Sequence, residues 1–176
     1  MGRVTFQSNL RLDRLFGADV RFITPAQYRD RTAIMTKAAG PDGYVIPEGE
    51  SNALGAWGYV RAVDEMASQW HAPPSAIVCA TGSGGTLAGL AIGVRRRALD
   101  LPVYGVAVRD DAAYFTDIVD NIRADTTDRW PALPSVRAHA VPVTEGYTGR
   151  GHPPSPPPPL PAHPPARRPR RPLPPP

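Results

Sequence analysis

The stretch Ala76-Ile77-Val78-Cys79-Ala80-Thr81-Gly82-Ser83-Gly84-Gly85-Thr86-Leu87 decides the fold. Residues 76–80 form a continuous apolar run of strand length, the pattern of a strand in a parallel sheet covered on both faces. Three glycines among residues 82–85 let the chain turn sharply. Leu87 to Arg97 then reads as a helix ending in Arg95-Arg96-Arg97, cations suited to the negative end of its dipole. A glycine bend between a buried strand and a helix start gathers backbone N–H groups at the positive helix end, and Ser83 and Thr86 add hydroxyls. At the carboxyl end of a strand, that is an anion cradle best suited to a phosphate. Two familiar phosphate loops do not match it. A P-loop ends in Gly-Lys-Ser/Thr, and the only lysine of the chain is Lys37. The dinucleotide fingerprint requires glycine where Leu87 stands. The competing reading is structural: a tight strand-to-helix turn in which Gly85 and Gly89 allow close packing.

Outward from this bend, strands and helices alternate. Val103-Tyr104-Gly105-Val106-Ala107-Val108 is a second buried strand, and residues 112–124 form an amphipathic helix that Asp110-Asp111 can cap. Upstream, the longest helix starts at Ser51 or Asn52 and is ended by Pro73-Pro74. Its apolar stripe is Ala53, Trp57, Val60, Val63, Ala67 and Trp70. Further back, residues 8–16 read as a short helix stopped by Gly17, residues 19–23 as an alternating strand, and Thr24-Pro25 as the start of a helix over 26–39. Gly40-Pro41-Asp42-Gly43 is a turn and residues 44–46 a short strand. The expected architecture is α/β: three layers, with a mostly parallel sheet and helices on both faces.

The composition divides the chain in two. Of 23 prolines, 14 lie in residues 151–176, and residues 1–149 carry a net charge of −1 although the whole carries +4. The basic excess therefore belongs to the tail, which argues against a nucleic-acid-binding fold. The expected domains are 1–149, a partial α/β domain, and 150–176, a disordered Pro/Arg-rich tail. Residues 71–94 carry no Asp, Glu, Lys or Arg. A membrane span is not expected there, because Pro73-Pro74 and the glycine cluster would leave backbone groups unpaired in lipid. Met1-Gly2-Arg3-Val4-Thr5-Phe6-Gln7-Ser8 shows no signal-peptide pattern, and the one cysteine, Cys79, allows no intramolecular disulfide, so a cytoplasmic location is expected. Cys79 reads as core, and His71 and His139 stand alone, so no metal ligand is assigned.

Three ordered motifs carry a resemblance. Asn9-Leu10-Arg11-Leu12-Asp13-Arg14-Leu15-Phe16-Gly17-Ala18 resembles the Gly-Asn-Leu-Leu-Leu-x-Arg-Leu-x-Gly-Ala segment of D-cysteine desulfhydrases and 1-aminocyclopropane-1-carboxylate deaminases. Ile46-Pro47-Glu48-Gly49-Glu50-Ser51-Asn52-Ala53-Leu54-Gly55 is similar to their Ile-Pro-x-Gly-Gly-Ser-Asn-x-Leu-Gly, with Glu50 in place of a glycine. Thr81 to Leu90 matches their Ser/Thr-Gly-Ser-Gly-Gly-Thr-x-Ala-Gly-Leu. The resemblance implies a partial pyridoxal-phosphate fold of type II, the tryptophan-synthase-β-like fold. It also implies that Thr81, Gly82, Ser83, Gly84, Gly85 and Thr86 hold the 5′-phosphate of pyridoxal phosphate, that the substrate is a small amino acid, and that a homodimer is a possible assembly. The family's Schiff-base lysine, in a Gly-Asn-Lys motif upstream of the first matched segment, has no counterpart, and Lys37 lies in another context. The expectation is a fragment without catalytic residues of its own, inactive alone. Past Gly149 the family's Gly-Pro-Gly-Tyr is lost, with His152 at the tyrosine position. Two alternatives stand beside this one: a non-catalytic interaction protein using its Pro-rich tail, and a nucleotide-phosphate-binding α/β domain that does not use pyridoxal phosphate.

Overall fold

The computed structural model describes residues 9–147. The expected disordered tail and His152 lie outside the described residues. The chain divides between Glu50 and Ser51 into two compact units.

The N-terminal unit holds α1 (Asn9–Leu15), a 3-10 turn (Gln27–Asp30), α2 (Arg31–Ala39) and a second 3-10 turn (Glu48–Glu50). Gly17 stops α1 as expected. It adopts a left-handed φ of 81°, and the N–H of Ala18 donates back to the Asp13 carbonyl at 2.9 Å. At Thr24 the expected helix start forms a reciprocal cap. The Gln27 N–H donates to Thr24 Oγ1 at 3.3 Å, and the Thr24 N–H donates to Gln27 Oε1 at 2.9 Å. The single helix expected over 26–39 is instead a 3-10 turn followed by α2. The strands expected at 19–23 and 44–46 do not form. A strand needs a neighbour to take its backbone groups, and none pairs with these segments among the described residues. Asp19 and Arg21 keep the alternation only as a side-chain ion pair at 2.8 Å. No described residue of this unit is buried.

The second unit runs α3 (Ala53–Gln69), β1 (Ile77–Thr81), α4 (Gly85–Arg96), β2 (Val103–Ala107), α5 (Ala112–Arg129) and β3 (Val143–Thr144). Its sheet has the order β1-β2-β3, parallel throughout, with Cys79 opposite Gly105 and Gly105 opposite Val143. The helices bury their apolar sides in a core that includes Val63, Leu87, Leu90, Val103, Val119 and Ile122. They cover the sheet face of Ile77, Cys79 and Thr81, whereas Val78, Tyr104 and Val108 on the opposite face stay exposed. A smaller cluster of Val60, Ile92 and Leu133 packs with Trp57 and Trp130, whose rings meet edge to face at 5.4 Å.

Glycine sets the spacing of α3 and α4. A Cβ on Gly89 would lie 2.3 Å from the Ala56 carbonyl oxygen, and one on Gly93 would lie 2.7 Å from Val63 Cγ2. The two helices are also pinned by Asp64, which accepts from Arg96 and, at 3.2 Å, from Arg97 Nη1. Burial opposes ionisation of this carboxyl, but the two guanidiniums outweigh it and hold its pKa below the usual value. After α5, the buried Arg123 donates to the Val136 carbonyl and pairs with Asp120, which also accepts from the His139 N–H at 2.8 Å. This clasp orders the connection that leads into β3.

Candidate functional site

The bend between β1 and α4 has a definite construction. Thr81 closes β1. It is 2% exposed, its carbonyl accepts from the Val108 N–H at 3.2 Å, and its hydroxyl turns back to the Cys79 carbonyl at 3.5 Å. Thr81 therefore anchors the strand end, residues 82–84 form the bend, and Gly85 and Thr86 start α4. Gly84 takes φ 89°, and a Cβ there would lie 2.8 Å from Ile118 Cγ2 on α5, so both backbone and packing require glycine. Gly85 opens α4, and a Cβ there would lie 3.0 Å from Ser51 Cα.

The three long helices of this unit begin differently. Asn52 caps α3 by accepting from the Gly55 N–H at 2.8 Å. Asp111 caps α5 by accepting from the Tyr114 N–H at 2.7 Å, and Glu145 accepts from the Ala112 N–H at 2.6 Å. The positive end of α5 is thus already neutralised by two carboxylates. α4 has glycine at its N-cap, no side-chain cap and no acid in its first turn. The Gly85 N–H donates to Ser51 Oγ at 3.1 Å. The N–H groups of Gly82, Ser83, Gly84, Thr86 and Leu87 meet no acceptor among the described residues. Helix starts leave such donors over, and here the hydroxyls of Ser83 and Thr86 stand beside them. The set is all donor, with no carboxylate, which is the chemistry that takes a phosphate dianion.

The structure brings Gly82, Ser83, Gly84, Gly85 and Thr86 together at one helix end, with Thr81 behind them in the strand. The close-packing role weighed for Gly85 and Gly89 is also present: Gly89 faces α3, and Gly85 faces Ser51 just ahead of it. Sequence reasoning gave Ser51 no place here. It lies 34 residues before Gly85, and its only sequence signal was the Ser-Asn pair ahead of α3. Cys79 packs against the core, and burial pushes its thiol pKa up, with a Thr81 hydrogen bond acting the other way. That suits an inert core cysteine. No group of three or more His, Cys, Asp or Glu able to hold a metal occurs among the described residues. Nor is any described helix long and apolar enough to cross a membrane.

A family model described as pyridoxal-phosphate dependent enzyme matches residues 1–148. A bifunctional D-cysteine desulfhydrase/1-aminocyclopropane-1-carboxylate deaminase, mitochondrial, of Arabidopsis thaliana is 39% identical over 127 residues, covering 65% of this chain and 32% of the relative. A D-cysteine desulfhydrase of Klebsiella pneumoniae is 43% identical over 91 residues, covering 51% of this chain and 28% of the relative. The crystal structure of an ACC deaminase homologue superposes with a TM-score of 0.66 at 31% identity, covering 82% of this chain and 45% of that one. The chain spans less than half the length of each of these proteins.

Proposed function

The chain belongs to the pyridoxal-phosphate dependent enzyme family, and on that premise we propose that residues 82–86 hold the cofactor's 5′-phosphate. In this reading the whole protein is a D-cysteine desulfhydrase- or aminocyclopropane-carboxylate deaminase-like enzyme acting on a small amino acid. Residues 1–149 are one partial cofactor-binding domain of it. One observation carries the reading: α4 begins with unengaged N–H groups, two hydroxyls, no side-chain N-cap and no acid, whereas Asn52 and Asp111 cap the starts of α3 and α5. Similarity to the Arabidopsis and Klebsiella relatives supports the substrate class.

When bound, pyridoxal phosphate supplies an electron-accepting ring for breaking bonds at an amino acid's α-carbon. The chain's own residues bind and orient. The amides of Gly82, Ser83, Gly84 and Thr86 fix the phosphate, Ser83 and Thr86 donate from their hydroxyls, and Thr81 ties the bend to the sheet. No arginine serves as the amine nucleophile of this chemistry, because it stays protonated. Lys37, the single lysine, sits on α2 outside the bend's sequence context. The 176 residues alone therefore bind without turnover.

The test is an equilibrium titration of the full chain with pyridoxal phosphate and, in parallel, with pyridoxal, which lacks the phosphate. We expect pyridoxal phosphate to bind at least about tenfold more tightly, since hydrogen bonds to a charged group are each worth roughly 1.5–3 kcal/mol. D-cysteine added to the loaded chain is expected to release no sulfide above a cofactor-only control. Equal affinity for the two ligands would remove the phosphate site, and sustained sulfide release would remove the claim that the chain does not turn over.

A further inference from the structure

We propose that Ser51 is a positioning residue for the phosphate, holding the Ser83 hydroxyl as a donor turned toward the anion. This rests on the phosphate reading above and adds a residue outside the glycine bend. Ser51 lies immediately before the Asn52 cap of α3, so the start of that helix fixes its backbone. Its Oγ accepts from the Gly85 N–H at 3.1 Å and donates to Ser83 Oγ at 2.7 Å.

A hydroxyl carries one hydrogen and two lone pairs. With Ser51 spending its hydrogen on Ser83, Ser83 becomes an acceptor on that side. Its own hydrogen must then point elsewhere, and no acceptor for it occurs among the described residues. The chain of donors runs from the Gly85 N–H through Ser51 to Ser83 and ends on a free O–H at the bend. Such chains polarise each member, so the last hydroxyl is a stronger donor to an anion than an isolated serine. The arrangement also takes the Gly85 N–H out of the direct donor set and returns its polarity through Ser83. Contact between Ser51 and Gly85 is close enough that any side chain at 85 would displace the relay.

The experiment compares the full chain with Ser51→Ala, Ser83→Ala and the double variant, measuring dissociation constants for pyridoxal phosphate and for pyridoxal. Each single variant is expected to weaken pyridoxal phosphate about tenfold and leave pyridoxal unchanged. The double variant is expected to be within about twofold of the weaker single variant, because the two hydroxyls act in series. Ser83→Ala removes only the outer end of the relay and keeps the test decisive should Ser51→Ala disturb the helix start. Unchanged binding of pyridoxal phosphate in Ser51→Ala, equal losses for both ligands, or a double variant weakened by the product of the single effects would each overturn the proposal. A wild-type chain that does not distinguish the two ligands defeats the phosphate reading itself. A wild-type preference that is undiminished in Ser51→Ala defeats only the role of Ser51.

Discussion

Glu50 adopts φ 51°, directly after Gly49 at φ 65°. A left-handed backbone costs a side-chain-bearing residue about 1–2 kcal/mol, less what glycine's freedom costs the folded state. The sequence carried a signal for this strain, since Glu50 stands where the resembling family has a second glycine. Glu50→Gly should raise stability by about 0.5–1 kcal/mol, moving the thermal midpoint up by about 2–4 °C. A midpoint that is unchanged or lowered would mean that the Glu50 side chain contributes more than its backbone conformation costs. The neighbouring residue teaches the opposite lesson. The role of Ser51 was not legible, because its partners lie 32 and 34 residues away and nothing local in a Ser-Asn pair reveals them. Gly84 falls between the two cases. The bend announced a glycine, and the structure adds that α5 packs where its side chain would go.

At the level of elements, the glycines at 85, 89 and 93 form a stripe on one face of α4, Gly89 and Gly93 meeting α3 and Gly85 meeting Ser51 just before it. Spacing of four residues keeps them on one helical face, and their small size lets α3 rest against the α4 backbone. Gly89→Ala would force a methyl toward the Ala56 carbonyl oxygen and Tyr59 Cβ, at 2.3 and 2.7 Å before relaxation. Separating the helices should cost about 1–3 kcal/mol, read as a lower urea midpoint with little change of slope. An unaltered midpoint would show that the helix pair is looser than described. Elements with a buried apolar run or a strong cap were the legible ones: β1, β2, α3, α4 and the start of α5. Two kinds of element escaped. The alternation at 19–23 and 44–46 promised strands, but no neighbour takes up their backbone groups. Conversely, β3 is two residues long and exists because Gly105 pairs with Val143. The connection before it is held by the Arg123–Asp120 clasp, a long-range contact with no local pattern.

Taken whole, the described chain has its buried core in the second unit. The N-terminal unit leaves Leu15, Phe16 and Tyr44 more than two-thirds exposed, and the sheet leaves Val78, Tyr104 and Val108 uncovered. Exposed apolar surface on this scale marks faces suited to burial against further protein surface. Relatives of which this chain matches less than half the length fit the same picture. The glycine bend lies in the better-packed unit, between β1 and α4, where the surrounding core can hold it rigid without help from the rest. The most direct test is a ¹H–¹⁵N spectrum of the full chain recorded as pyridoxal phosphate is added, with pyridoxal as the control. The account predicts that the amides of Gly82, Ser83, Gly84 and Thr86 move with the phosphate-bearing ligand and not with pyridoxal. Shifts that avoid these four residues, or that appear equally with both ligands, would contradict it.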